Sequence, residues 1–485
     1  MSDIIKKEKL EVLIEPHIFK NLKKKEYSLE ILPPSLLLTW NRLDLAFKLF
    51  FLDNRDKGKF VEDIYAKHIK AFTLGSFEEY GDPNKDSIIK YIDAFYTTLN
   101  DMKGGFDDEK SIIPLSVNQS ILNGAHRIAS AIYLNKTVSC VLLDLQNQIY
   151  DYRFFIQRHV PKDLLEIAVT NFIEHSENAY IAFIWPTGQG FDKELESIIP
   201  NIIYRKEVLL NRNGAHNLLS QIYYGEDWLG DINNNFSGSN GKLVECFKTF
   251  DPIRVIAFQE ENLDNVLKIK DRVRDVFNVG KHSIHITDTK QEAIRTARIV
   301  FNDNSIHFLN FGKPNRYKST HEKIGYFKEF IHQNKIDNKN VIIDSSLILS
   351  VYGLREASDI DYLADSDRHL VSSLIEPHDK HLRFYSQSKK ELIYNPRNYF
   401  YFNDIKFISF PLLYKMKKKR GEIKDKNDLK MMDALIENNQ IKKLISKWNQ
   451  YLFYFKVKNK FRFMKIAKFL RIYKIARWFY RLILK

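Results

Sequence analysis

Residues 340–363 read Asn340-Val341-Ile342-Ile343-Asp344-Ser345-Ser346-Leu347-Ile348-Leu349-Ser350-Val351-Tyr352-Gly353-Leu354-Arg355-Glu356-Ala357-Ser358-Asp359-Ile360-Asp361-Tyr362-Leu363. A short apolar strand leads into small residues. A helical turn, a glycine-led loop and a second strand carrying Asp-Ile-Asp follow. On a strand, residues i and i+2 share a face about 6.5–7 Å apart, so Asp359 and Asp361 are expected side by side. Two carboxylates at that spacing suit a hard divalent cation, which takes oxygen ligands and leaves positions for substrate phosphates. A metal held there neutralises charge on a transferring phosphoryl or nucleotidyl group. Asp-x-Asp alone is common by chance; the whole arrangement carries the reading.

That arrangement resembles the nucleotidyltransferase fold of the DNA polymerase β superfamily, whose signature is a Gly-[Gly/Ser] helix start followed by Asp-x-Asp on a strand. The segment YGLREASDIDYL is most similar to the minimal, antitoxin-associated members. The resemblance covers 339–435, including a helix at 410–420 and the run 424–429. It implies Asp359 and Asp361 as metal-binding, catalytic carboxylates, Mg2+ (or Mn2+) as the metal and a nucleoside triphosphate as substrate. It also implies that Ser345 and Ser346 occupy the phosphate-cradling turn, although Ser345 stands where glycine is usual. The family draws a third carboxylate from a later strand. Glu391 is the first candidate for it, as catalytic and metal-binding residue, and Asp404 the second.

A second motif is Ile121-Leu122-Asn123-Gly124-Ala125-His126-Arg127-Ile128-Ala129. Gly124 permits close backbone approach, free N–H groups of a helix start face an anion, and His126 and Arg127 add charge-assisted hydrogen bonds. The segment resembles the Gly-x-His-Arg element of ParB/sulfiredoxin-like domains, which bind nucleotides, act as ATP- or ADP-dependent kinases, or bind DNA. That resemblance implies nucleotide or phosphate binding at Asn123, Gly124, His126 and Arg127. Glu78, Glu79 and Lys85 upstream are candidates for a base or a further phosphate ligand.

Between these motifs, strand-like 254–258, a periodic helix over 263–277 and strand-like 282–287 succeed one another. A Thr289/Glu292 capping box then opens a helix through Phe301, and 305–309 reads as a third strand. Strands alternating with helices predict a parallel α/β layer with ligands at the strands' carboxyl ends, where Gln259, Glu260, Asp288, Thr289, Asn310 and Lys313 fall. His285 and His307 sit in adjacent expected strands, but without a third ligand they read as structural groups. The turn Thr187-Gly188-Gln189-Gly190 reads as a connection.

The 485 residues include 75 Lys+Arg and 61 Asp+Glu, a formal charge of +14. Residues 411–485 alone carry +17, which leaves −3 for residues 1–410. A slightly acidic body does not promise the basic groove of a nucleic-acid enzyme. The tail interleaves basic and apolar residues, with Arg462, Lys465, Lys468, Arg471, Lys474 and Arg477 every third position. It reads as an interfacial segment on an anionic membrane surface, each basic residue contributing roughly 1 kcal/mol. Cys140 and Cys246 have no metal-type spacing, and no run reaches a membrane span. These features predict a cytoplasmic protein, peripheral on the inner face of the cytoplasmic membrane.

The expected architecture is an α/β and α+β multidomain protein. A ParB/sulfiredoxin-like domain spans 1–155, a parallel α/β middle domain 156–315, a nucleotidyltransferase-fold domain 316–437 and a basic amphipathic tail 438–485. Such combinations are similar to proteins of surface-polysaccharide (capsule or lipopolysaccharide) assembly, which implies a sugar or lipid-linked sugar as acceptor. The expected activity is metal-dependent nucleotidyl or phosphoryl transfer to that acceptor. The alternatives are a nucleic-acid-directed nucleotidyltransferase of the toxin or tRNA-modifying type, with the tail on RNA, and a non-catalytic ParB-like binding protein.

Overall fold

The computed structural model describes residues 3–78, 85–366 and 370–436, with a few positions between 459 and 470. Apart from those positions, the tail on which the membrane reading rests lies outside the described residues. The fold is mixed α/β with three small sheets among the described residues. No helix among them is long and apolar enough to cross a membrane.

The first sheet holds β1 (Asp3–Lys6), β2 (Glu26–Leu32), β3 (Ile113–Leu115) and β4 (Val138–Leu142) in the order β1-β2-β4-β3. Only the β3/β4 pair is parallel. The second sheet holds β5 (Ala179–Ile184), β6 (Ile202–Val208), β7 (Ile253–Gln259) and β8 (Ile284–Ile286) in the order β6-β7-β5-β8.

Every neighbouring pair in this second sheet is antiparallel, which corrects the expected parallel layer. The run 253–259 is buried at every residue. Such a run reports that a strand is covered on both faces, not which way its neighbours point. The expected third strand at 305–309 is instead part of the helix Asp303–Phe311. Asn302 caps it by accepting a hydrogen bond from Ser305 N, and Ser305, Phe308 and Leu309 are buried at helical spacing. The helices Leu263–Phe277 and Lys290–Val300 form as the periodicity requires, the second with Thr289 accepting from Glu292 N. Glu292 reaches back to Asp288 N rather than to the cap residue itself.

The third sheet positions the sharpest motif. It holds β9 (Val341–Asp344), β10 (Ile360–Ala364), β11 (Ile375–Pro377), β12 (Tyr399–Phe402) and β13 (Ile405–Ile408) in the order β11-β10-β9-β13-β12. β9 and β10 are antiparallel, with Asp361 opposite Asp344 and Ala364 opposite Val341. β12 and β13 form a hairpin whose turn residues Asn403 and Asp404 have φ of 50° and 61°. Two consecutive positive φ values mark the tight turn that matches strand twist.

The blocks share one continuous core that runs from Leu37 to Met432. A smaller cluster, with Ile5, Leu10, Leu22 and Val141, lies under the first sheet. The helix Lys162–His175 ties the blocks together. Its Glu174 accepts from Arg298 at 2.6 Å and from Lys339 at 3.2 Å. Nearby, Lys406 is buried and donates to Lys339 O at 2.7 Å and to Ile393 O. Burial, then the charge of Arg298, pushes its ammonium down to about 7.

A depressed lysine makes stability rise with pH, because above about 7 the folded state has lost a proton that the unfolded chain keeps up to 10.5. Lysine-selective NMR is expected to show one amine titrating near neutrality and absent in Lys406→Met. A spectrum with every lysine titrating above pH 9 contradicts this placement.

Candidate functional site

Strand pairing brings three carboxylates to one end of the third sheet. Asp344 closes β9, Asp361 faces it across the ladder, and Asp359 stands just before β10. Residues directly opposite in an antiparallel pair point to the same face. Asp344 is fully buried: His378 Nδ1 donates to its Oδ2 at 2.7 Å and the Tyr385 hydroxyl to its Oδ1 at 2.5 Å. Burial alone raises a carboxyl's pKa. Here the bonds from His378, Tyr385 and the Ser345 N–H outweigh burial and hold Asp344 below its usual range.

Asp361 moves the other way. Burial is the largest cause, and the charges of Asp359 and Asp344 add to it, against the pull of His378 and a bond from the Ser345 side chain. Three acids crowd this edge, and the cation-capable group bonded to them, His378, is spent on Asp344. Beside it the His381 ring lies tilted at 4.0 Å between centroids and is pushed down to about 4, by burial first and by His378 next.

The turn between β9 and the helix Ser346–Val351 carries both serines. Ser345 has φ 58° and ψ −123°, a left-handed conformation that favours glycine. Ser346 Oγ donates to Asp359 Oδ1 at 3.0 Å and so orients that carboxylate. Ser345→Gly is expected to stabilise the fold by about 1 kcal/mol, since a strained non-glycine residue costs roughly 1–3 kcal/mol and the lost side-chain bond returns part of it. Urea denaturation measures this, and a destabilised variant would show that the serine hydroxyl outweighs the strain.

A charge network braces the site from the helices Phe410–Arg420 and Ile423–Ile436. Arg355, in the loop before Asp359, holds both oxygens of Asp428 at 2.6 and 3.0 Å. Lys417 reaches Asp428 at 2.8 Å and Asp425 at 3.3 Å, and Arg420 reaches Asp425 at 2.7 Å. The sequence run 424–429 thus packs its acids three residues apart against basic residues of the preceding helix.

Glu391 is not brought to the aspartates. Its carboxylate closes a capping box, accepting from Ser388 N at 2.9 Å and Ser388 Oγ at 3.1 Å. Its short helix, Lys389–Tyr394, is anchored through the Tyr394 hydroxyl to Asn340 and Asp365, at the sheet end opposite Asp344. Asp404 lies in the hairpin turn at that same far end. The residue that sequence reasoning missed is Asp344. Its signal was a lone acid ending an apolar strand directly before the two serines.

The second motif also folds locally as its glycine requires. Gly124 has φ 89° and opens the helix Ala125–Leu134 beside a cleft of about 330 Å3 lined by Asn123, His126, Arg127 and Lys85. A Cβ on Gly124 would meet the Arg127 guanidinium at 3.1 Å and Ile113 at 2.8 Å. The charges differ from expectation. Arg127 pairs with Glu15 at 3.0 Å. His126 is half-buried, bonded through Nε2 to the Tyr65 hydroxyl at 2.8 Å, and held well below its usual pKa by desolvation and the charges of Lys48 and Lys85. Of the cleft's cationic lining, Arg127 is therefore already paired with Glu15, and Lys85 stands in the same wall. Glu78 is exposed, and Glu79 lies outside the described residues.

The weaker candidates have structural partners. His285 bonds Glu292 at 3.0 Å, and His307 bonds the Tyr352 hydroxyl at 2.8 Å on a helix, so the two are not neighbours in a sheet. Gly188 and Gly190 offer carbonyls to Arg254, which makes the 187–190 turn a brace rather than an anion cradle. Gln259 donates to Leu38 O at 2.9 Å, Asp288 pairs with Lys270, and Asn310 bonds Asn211 N.

Among the described residues, no group of three or more His, Cys, Asp or Glu side chains is arranged to hold a metal by itself. Asp359 and Asp361 fit a hard cation whose remaining ligands come from water and phosphate oxygens. No family model matches the chain, and comparison with curated proteins and with solved structures finds no match.

Proposed function

We propose that the chain is a metal-dependent nucleotidyl- or phosphotransferase whose chemistry resides at Asp359 and Asp361. The observation that supports this most is the crowding of Asp359, Asp361 and Asp344 at one sheet end, with Asp361 raised in pKa and two serines in the adjoining turn. Crowded carboxylates of this kind are relieved by a divalent cation. Asp359 and Asp361 would hold Mg2+ (or Mn2+), which when bound neutralises charge on the phosphates of a nucleoside triphosphate. Ser346 orients Asp359, Ser345 bonds Asp361, and the Arg355–Asp428 clamp fixes the loop between them. Asp344 with His378 and Tyr385 is the rigid support behind the pair. In the reaction proposed, an acceptor hydroxyl forms a new P–O bond to a phosphorus of the nucleoside triphosphate as the P–O bond to the leaving pyrophosphate (nucleotidyl transfer) or nucleoside diphosphate (phosphoryl transfer) breaks, and the hydroxyl's proton passes to solvent.

A sugar or lipid-linked sugar is the acceptor we favour, with the tail docking on an anionic membrane and the Gly124 cleft as a second nucleotide or phosphate site. Incubation with Mg2+, each labelled nucleoside triphosphate and membrane glycolipid is expected to transfer label to glycolipid. No transfer with any nucleotide and acceptor would refute the reading. Deletion of 438–485 is expected to abolish binding to anionic vesicles. Loss of salt-sensitive RNA binding instead would favour the nucleic-acid-directed alternative. Retention of full cellular function by Asp359→Ala/Asp361→Ala would favour a non-catalytic binding protein.

A further inference from the structure

At the sheet end opposite the aspartates, a cavity of about 420 Å3 lies where the three blocks meet. Its walls include Asn171 and Glu174 of the helix Lys162–His175, Tyr133 from the first block, Arg298 from the middle block and Tyr401 and Lys406 from the third. The volume falls within the ~300–1,000 Å3 range of small-molecule sites. Among these walls, Asn171 is only 6% exposed and its Oδ1 is buried with no partner. Its amide nitrogen is already committed, donating to Asp53 at 2.9 Å.

The lining selects a chemistry. Phe50, Ile167, Phe301 and Pro396 share the wall with charged and hydroxylated groups, and a purely apolar ligand would leave those polar groups unpaired. A bare anion is opposed, because Asp53, Glu174 and Asp337 line the same space and the cations are largely spoken for. Arg298 and Lys339 share Glu174, and Lys57 pairs with Asp365 at 2.7 Å. What remains is an acceptor, Asn171 Oδ1, that needs a donor, and Lys406, whose ammonium has three hydrogens and two carbonyl partners. A hydroxyl supplies both functions, and several hydroxyls on one small ring supply them at several walls.

We propose that this cavity is a binding site for a monosaccharide ring, either free or as one residue of a larger glycoconjugate. The site is separate from the aspartate pair, and the proposal stands whether or not the transferase reading does. Because the walls come from all three blocks, the bound ring would bridge them and stabilise their packing.

Thermal unfolding and calorimetry of the full chain with free hexoses and N-acetylhexosamines test it, with short oligosaccharides of the same sugars as the second arm. At least one sugar is expected to raise the melting temperature and to give saturable heat. Asn171→Leu, which fills the space, and the milder Asn171→Ala are each expected to weaken that binding by about tenfold or more, the loss of one buried hydrogen bond or its site. Asp361→Asn is expected to leave it unchanged. Tighter binding of the oligosaccharide than of the free sugar would assign the ring to a glycoconjugate, and equal binding to a free sugar. A cavity that holds only water would give no shift with any sugar, and that result overturns the proposal. So does binding that survives both Asn171 variants or is lost in Asp361→Asn.

Discussion

Asp361→Asn is expected to reduce magnesium-dependent transfer by on the order of 1,000-fold in kcat/KM while making the protein more stable. The two effects have one cause. Asp361 is raised in pKa by burial and by Asp359 and Asp344, so its charge costs folding energy at neutral pH. An amide of the same shape removes that charge, and the expected gain is about 1 kcal/mol. The sign follows from proton counting. An acid with a raised folded pKa binds more protons folded than unfolded, so its stability contribution is present at low pH and lost as pH rises through the folded pKa. The variant's advantage should therefore be full at neutral pH and vanish below the ordinary carboxyl value of 3.8. Guanidinium denaturation across that range reads it. A destabilised Asp361→Asn would mean that the carboxylate is a structural partner and not a strained functional group.

Asp344→Ala is expected to be the most destabilising single change at the site, at about 3–5 kcal/mol. It strips the acceptor from His378 and Tyr385 together, both of them buried, and a buried polar pair broken on one side leaves the other uncompensated. Its pH dependence runs opposite to that of Asp361. The pKa of Asp344 is lowered, so its contribution is present above the unfolded value of 3.8 and lost as pH falls through the folded one. Tyr385→Phe, which removes one bond and keeps the ring, should cost about 1 kcal/mol. A double-mutant cycle between the two positions should show coupling. An Asp344→Ala variant within about 1 kcal/mol of wild type would remove Asp344 from its supporting role.

What the sequence revealed follows from which signals are local. The strand, turn, helix and strand of 341–364 were legible because β-branched residues, two serines and a glycine loop each act over a few positions. The two long helices of the middle block and the Thr289 cap were legible for the same reason. The positive φ at Ser345 was not legible, because a serine gives no sign of a conformation that favours glycine. Strand direction was not, because β7 is buried on both faces and its all-apolar run is the same whether its neighbours run parallel or antiparallel. The segment 305–309 misled because five residues hold too few turns to separate helical from strand spacing, and the Asn302 cap was the overlooked cue.

Long-range partners were the other gap. Glu391 looked available until its capping box with Ser388 was seen, and Arg127 until Glu15 came from more than a hundred residues away. His126 looked like a charged phosphate ligand, but burial against Tyr65 and Phe95 keeps it neutral. Asp344 was hidden for the inverse reason, since its partners His378 and Tyr385 lie beyond the motif. The junction cavity has no local signature, as its walls come from every block.

Crystals soaked with Mn2+ and a non-hydrolysable nucleoside triphosphate, measured for anomalous scattering, address the proposed chemistry directly. A manganese peak bound by Asp359 and Asp361, with the nucleotide's phosphates completing its shell and the Ser345–Ser346 turn against them, is the predicted result. A nucleotide bound elsewhere, or no anomalous peak between these two side chains at saturating manganese, contradicts it.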